Sequence, residues 1–207
     1  MKNTRVLSIL AVTVFALTGC SKTCSKDEFI DLAKKTEEHQ YTTASAKLKG
    51  KVTSSTEGIN QTYEPDDTLD FKYQDGNWGI VEDMSSSNSI KQSLALICIV
   101  LLSNNVREII KNDELFADND YMKLTCYSSP LGFNVKSDFK DHEEDVLGLK
   151  TVMNGKGDTT YNFNNKDGMV IKYVEKSDLT MDLTYSSDLK MKTKSVTDIT
   201  ITFSYSD

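Results

Sequence analysis

From Tyr41 to the end of the chain, apolar side chains recur at every second position in one stretch after another, and this two-residue period constrains the fold most. Successive side chains of a strand point to opposite faces, so the pattern describes strands with one face buried and the other in water. Ala44, Ala46, Leu48 and Val52 alternate with Ser45, Lys47, Lys49 and Lys51. Leu69, Phe71 and Tyr73 do the same, and Asp75-Gly76-Asn77 turns the chain into Trp78, Ile80 and Val81. Ile59 to Tyr63 reads as a short strand between these. Later, Met122, Leu124 and Cys126 share a face, as do Leu131, Phe133 and Val135 after Ser129-Pro130, while Val146, Leu147 and Leu149 predict a further strand. Thr159, Tyr161 and Phe163 lead through the turn Asn165-Lys166-Asp167-Gly168 into Met169, Ile171 and Tyr173. Leu179, Met181, Leu183 and Tyr185 form the next alternation, and Ile199, Ile201, Phe203 and Tyr205 the last. Roughly nine or ten strands joined by tight turns predict an antiparallel sheet with one wet face.

Two segments break this period. Asp27 to Gln40 reads as an amphipathic helix, with Phe29, Ile30 and Ala33 on one side, Ser25 as N-cap and Glu28 completing a capping box. Leu94 to Leu102 is apolar all round. It falls well short of the roughly 20 residues a membrane-spanning helix needs, so it is expected as a helix buried within the protein. Val106, Ile109 and Ile110 continue the helical spacing, extending the helix or restarting it after Asn104 and Asn105.

The N-terminus is an address rather than part of the fold. Lys2 and Arg5 precede an apolar run from Val6 to Leu17, which ends in Leu17-Thr18-Gly19-Cys20. This resembles a bacterial lipobox, in which an export signal is cut before a cysteine that takes lipid on its thiol. The resemblance implies a signal peptide at 1–19, a lipidated tether at 20–26 and a single domain at 27–207, held outside the cytoplasm by a membrane anchor at Cys20. No Pro- or Gly-rich break divides that domain.

Charge excludes other partners. The chain carries 24 basic and 31 acidic residues, a formal −7, and losing Lys2 and Arg5 with the signal takes this to −9. Nucleic-acid binders cluster excess Lys and Arg, so no nucleic-acid partner is expected, and membrane contact should come from the anchor. Of the remaining cysteines, Cys24 lies in the tether as a free thiol or a second acylation site. Cys98 and Cys126 sit on apolar stretches, as buried thiols or as a disulfide that an exported setting permits.

Motifs for chemistry are missing. No nucleophile elbow, phosphate loop, dinucleotide glycine pattern or zinc-type cysteine pair occurs, and neither an enzyme nor a cofactor is expected. His39 ends a charged helix, and His142 lies in Asp141-His142-Glu143-Glu144-Asp145, which reads as a solvated charge run rather than a metal site. Asp113-Glu114 and Asp118-Asn119-Asp120 lack the glycine and the terminal glutamate of a calcium loop.

The order of elements is a helix, several strands, a buried helical insertion and a long strand meander. This order, with the hairpin Tyr161-Asn162-Phe163 to Asp167-Gly168-Met169, resembles the superfamily of outer-membrane lipoprotein carriers and lipid-carrying lipoproteins. The resemblance implies an α+β fold, a half-barrel in which a curved antiparallel sheet holds the N-terminal helix and the buried central helix on its concave face. It also implies a lipid or other hydrophobic ligand between sheet and helices. Phe71, Tyr73, Trp78, Leu96, Val100, Phe133, Tyr161, Phe163, Met169, Met181 and Phe203 would line such a cavity, or fill a core that leaves no room for one. The alternative function is a surface-interaction or envelope-structural lipoprotein with a filled core.

Overall fold

The structure, a computed structural model, describes residues 22–85, 87–111, 120–146, 149–184 and 190–207. The expected signal segment 1–19, Cys20, Asp113-Glu114, Asp118-Asn119, Leu147 and Tyr185 lie outside these residues. Ten strands are described: β1 (Lys22–Cys24), β2 (Thr43–Thr56), β3 (Ile59–Tyr63), β4 (Asp66–Gln74), β5 (Asn77–Ile80), β6 (Met122–Ser129), β7 (Leu131–Val146), β8 (Leu149–Phe163), β9 (Val170–Thr184) and β10 (Lys190–Ser206). Three helices accompany them: α1 (Lys26–Lys34), α2 (Ser89–Ser103) and α3 (Val106–Ile109).

The strands form one open antiparallel sheet in the order β1-β6-β7-β8-β9-β10-β2-β4-β5, with β3 paired to the far half of β2. One edge of β2 lies along β10, and its other edge serves two partners, since Thr43 to Lys49 pair with β4 and Val52 to Thr56 with β3. Gly50 sits at the changeover with φ +136°, and a Cβ there would stand 2.0 Å from the Asp198 carbonyl oxygen. Only glycine permits this passage.

Phe133, Tyr161, Tyr173, Ile201 and Leu48 occupy a single row across five neighbouring strands, all on the helix-bearing face. Phe29 of α1 meets Phe133 edge-on at 5.8 Å, and Phe29, Phe133, Leu48 and Ile201 are wholly buried. On the other face, alternation places charges of opposite sign on adjoining strands. Lys136 pairs with Asp158 at 3.7 Å, Lys176 with Asp198 at 3.7 Å, Lys156 with Asp138 at 3.2 Å and Lys194 with Asp178 at 3.1 Å. Each exposed pair contributes at most about 1 kcal/mol, but together they balance the face electrically.

α1 begins as expected, with Glu28 N donating to Ser25 Oγ at 3.1 Å. It stops at Lys34, six residues before the expected end. Thr36 Oγ1 turns back to the Ala33 carbonyl, and Glu37 N donates to the Lys166 carbonyl in the β8–β9 turn. α2 and α3 are separate helices. Asn105 caps the second, accepting from Arg107 N at 2.9 Å and Glu108 N at 3.1 Å. At the β8–β9 turn, Gly168 (φ +72°) accepts from Val106 N, and a Cβ there would meet Thr36 and Val106 at 2.8 Å. One turn thus docks the ends of α1 and α3.

Two other expectations change. Val146 closes β7 and Leu149 opens β8, so these residues belong to two long paired strands rather than one short one. Residues 22–26 are not a free tether either, because Lys22 to Cys24 pair with β6 and Lys26 starts α1.

Candidate functional site

The residues proposed to line a cavity divide into four groups. Phe71, Phe133, Phe163 and Phe203 are buried in the core, and Tyr161 lies beside Phe133 and Tyr173 at ring separations of 4.7 and 5.2 Å. Phe163 lies 5.8 Å from Phe133. These separations are those of rings packed on one another, so this part of the layer is filled by the protein's own side chains. Burial pushes the Tyr161 hydroxyl up to about 12, with Glu175 adding to the shift.

Leu96 and Val100 contradict the expectation of a buried helix. They are 64% and 60% exposed, one turn apart on α2. The helix is apolar all round yet buries only one side. Ile90, Leu94, Ala95, Cys98, Leu101 and Leu102 face the protein, and α2 packs against β5, β3 and β2. Leu96 and Val100 point away and cannot line an interior cavity. Exposed Ser93 and Ser103 flank them, and Lys91 is the helix's sole charged residue. Lys91 is occupied by Asp67 at 3.6 Å and Glu82 at 3.5 Å, while Asp67 also accepts from the Tyr63 hydroxyl. The stripe itself is uncharged.

Tyr73, Trp78 and Met169 do come together. With Tyr41, Leu102, His39 and Glu108 they line a cleft of about 430 Å³ at the C-terminal end of α2. Tyr73 meets Trp78 edge-on at 5.4 Å, yet Trp78 is almost wholly buried. Tyr41 donates to Asp167 at 2.7 Å, His39 Nε2 bonds Asp207 at 2.9 Å, Glu38 lies 3.4 Å from Arg107, and Glu108 lies 2.6 Å from Lys111. Every one of these polar groups already has a protein partner. The cleft is a small notch with satisfied walls rather than an apolar sleeve for an acyl chain. Met181, the last candidate, lies elsewhere, half-buried on β9 opposite Met153 and Thr193.

A second, open depression of about 730 Å³ crosses five strands, and its lining includes the paired Lys136, Asp158, Lys176 and Asp198. Compensated charges suit neither a polyanion nor a lipid tail.

Tyr41 and Asp167 are the pair that sequence reasoning passed over. Asp167 is 5% exposed, and its two oxygens accept from Met169 N at 3.0 Å and from the Tyr41 hydroxyl. Burial and this carboxylate raise the Tyr41 hydroxyl well above the usual tyrosine range. The pair ties the start of β2 to the β8–β9 turn and is structural in character. His142 packs against Tyr121 with ring centroids 4.0 Å apart and planes tilted by 43°, and Phe139 lies 5.5 Å away. Among the described residues, no group of three or more His, Cys, Asp or Glu is placed to hold a metal ion, and no helix is long and apolar enough to cross a membrane.

Cys98 and Cys126 are both free thiols, as is Cys24. Cys126 stands opposite Cys24 across the β1–β6 pair.

Comparison with family models, with curated proteins and with solved structures finds no match, so the geometry and chemistry of the chain itself carry the functional reading.

Proposed function

We propose that this chain is a non-enzymatic, lipid-anchored binding protein of the bacterial cell envelope, which meets a protein partner through the uncharged outer stripe of α2. The observation that carries the reading is the exposure of Leu96 and Val100 on a helix whose other side closes a filled core. Exposed apolar residues that share a face mark contact sites more often than scattered ones do. A patch anchored by two such residues suits a transient encounter in which the helix lays its stripe into a groove of the partner.

Charge favours a protein over the bilayer as occupant. Anionic lipid attracts Lys and Arg, whereas this stripe offers none and the chain is acidic overall. Charge-poor apolar surface is what the centres of protein interfaces contain. The anchor fits the same reading. Cys20 precedes β1 by two residues, a reach of at most about 7 Å, so lipid on its thiol would hold the β1 edge close to the membrane. The sheet bends around α1, α2 and α3 as a half-barrel, helped by the passage at Gly50. The complete burial of Phe29, Phe133 and Phe163 supports a hollow filled by the protein's own rings.

The test places a photo-crosslinking residue at position 96 in the full membrane-bound chain, with position 198 on the charged face as the control. One defined protein should be captured from position 96, the same protein should bind the purified chain, and Val100→Glu should abolish both. Capture of lipid alone, or equal capture from position 198, would overturn the proposal.

A further inference from the structure

Cys24 ends β1, and its cross-strand neighbour in the antiparallel pair is Cys126 of β6. Residues opposed in this way have Cα atoms about 4.5–5.5 Å apart and side chains on the same face. A disulfide accepts Cα separations of about 4.4–6.8 Å. The register therefore places the two Cα atoms in the range that a disulfide accepts, and both thiols are free. Cys126 is 5% exposed, while Cys24 is half-buried against the rim of the core and can be reached from solvent. Cys98 does not compete. It is wholly buried on α2, which packs over β5, β3 and β2 towards the other end of the strand order.

We propose that Cys24 and Cys126 form a covalent site, closing into a cross-strand disulfide that staples β1 to the sheet when the chain meets a disulfide-class oxidant. Cys24 loses its proton and attacks the oxidant's S–S bond, forming a mixed disulfide and releasing one oxidant thiol. Cys126 then loses its proton to solvent and attacks the Cys24 sulfur, releasing the second oxidant thiol. The two protein thiols give up two electrons in all, and the oxidant disulfide becomes two thiols.

Burial raises the Cys24 thiol above its usual range and the Cys126 thiol to about 11, so both are protonated near neutrality and each must lose its proton before it attacks, which slows the exchange with the oxidant. β1 has only three residues and a single neighbour, β6, and in the proposed protein it is the segment nearest the anchor. A bridge here would pass any pull on the anchor directly into the sheet. Its occurrence in the cell rests on the export reading, whereas its geometry does not.

The test uses the full chain, reduced and then exposed to oxidised glutathione in the folded state, followed by alkylation and peptide mapping without reduction. The expected product loses two hydrogens and yields one linked peptide pair joining Cys24 to Cys126, with Cys98 alkylated only after denaturation. Closing this large loop should raise the unfolding midpoint by roughly 10 °C. In Cys24→Ala, Cys126 should stay reduced, and in Cys126→Ala, Cys24 should stop at a glutathione adduct. A wild-type chain that stays fully alkylatable, stops at that adduct, or links either thiol to Cys98 or Cys20 overturns the proposal. A second arm traps the thiols of the cell-derived protein with acid and alkylating reagent. A bridge formed by glutathione but absent from cells would refute export to an oxidising compartment while leaving the geometry standing.

Discussion

Phe133 of β7 stands opposite Tyr161 of β8, and their rings lie 4.7 Å apart. With Phe29 edge-on from α1 and Phe163 one step along the strand, this contact fills the layer where a carried ligand would otherwise lie. Phe133→Ala should cost about 3–5 kcal/mol, the range for removing a buried aromatic ring and leaving a void. Urea unfolding measures it, and a loss below about 1 kcal/mol would mean that the rings are not packed as described.

Leu96 and Leu102 lie on the same helix but differ in burial, at 64% and 2% exposed. Leu96→Ser should leave stability within about 0.5 kcal/mol of the wild type, whereas Leu102→Ala should lose about 2–5 kcal/mol. Equal losses would place Leu96 inside.

Tyr41→Phe removes the hydroxyl donor from buried Asp167 while keeping the ring. A carboxylate left short of a partner costs about 1–3 kcal/mol, and thermal unfolding should show a corresponding fall. An unchanged midpoint would show that water replaces the hydroxyl.

Gly50→Ala forces a side chain into the left-handed region and towards the Asp198 carbonyl. Backbone strain alone contributes about 1–3 kcal/mol, and the contact adds to it. Chemical denaturation should show at least that loss.

Alkaline pH should weaken the fold. Burial raises Tyr161 to about 12 and Cys126 to about 11, and it lifts Tyr173 and Tyr205 as well. Each group holds its proton more tightly in the folded state, so its contribution is complete below its unfolded value and fades as pH climbs towards the folded one. The urea midpoint should therefore hold to about pH 9 and decline from there to pH 11, by up to about 1.4 kcal/mol per pH unit for each group titrating. Tyr173→Phe should flatten that decline.

Much of this fold was legible in the sequence because the two-residue period is strong. Ile59 to Tyr63, the turn before Trp78 and the N-cap at Ser25 all lie where the two periods place them. The misses have physical causes. An apolar helix with no polar side predicts burial on every side, and Leu96 and Val100 escape that rule because the sheet covers only one side of α2. The long β7–β8 hairpin was hidden by its charged stretch and by the register shift between Phe139 and His142, which breaks the alternation. β1 is too short to show any period, so Cys24 passed for tether and its partner Cys126 went unrecognised. The cleft at Tyr73, Trp78 and Met169 depends on which strand ends meet the end of α2, and residue spacing does not encode that.

Native mass spectrometry of the full chain, gently extracted from the membrane proposed to hold it, tests the central claim most directly. A core filled by its own side chains and an outward-facing α2 stripe predict the mass of the chain with its proposed anchor alone, with no further lipid at any extraction condition. A stoichiometric extra lipid that survives Leu96→Ser would contradict the account and restore an internal ligand.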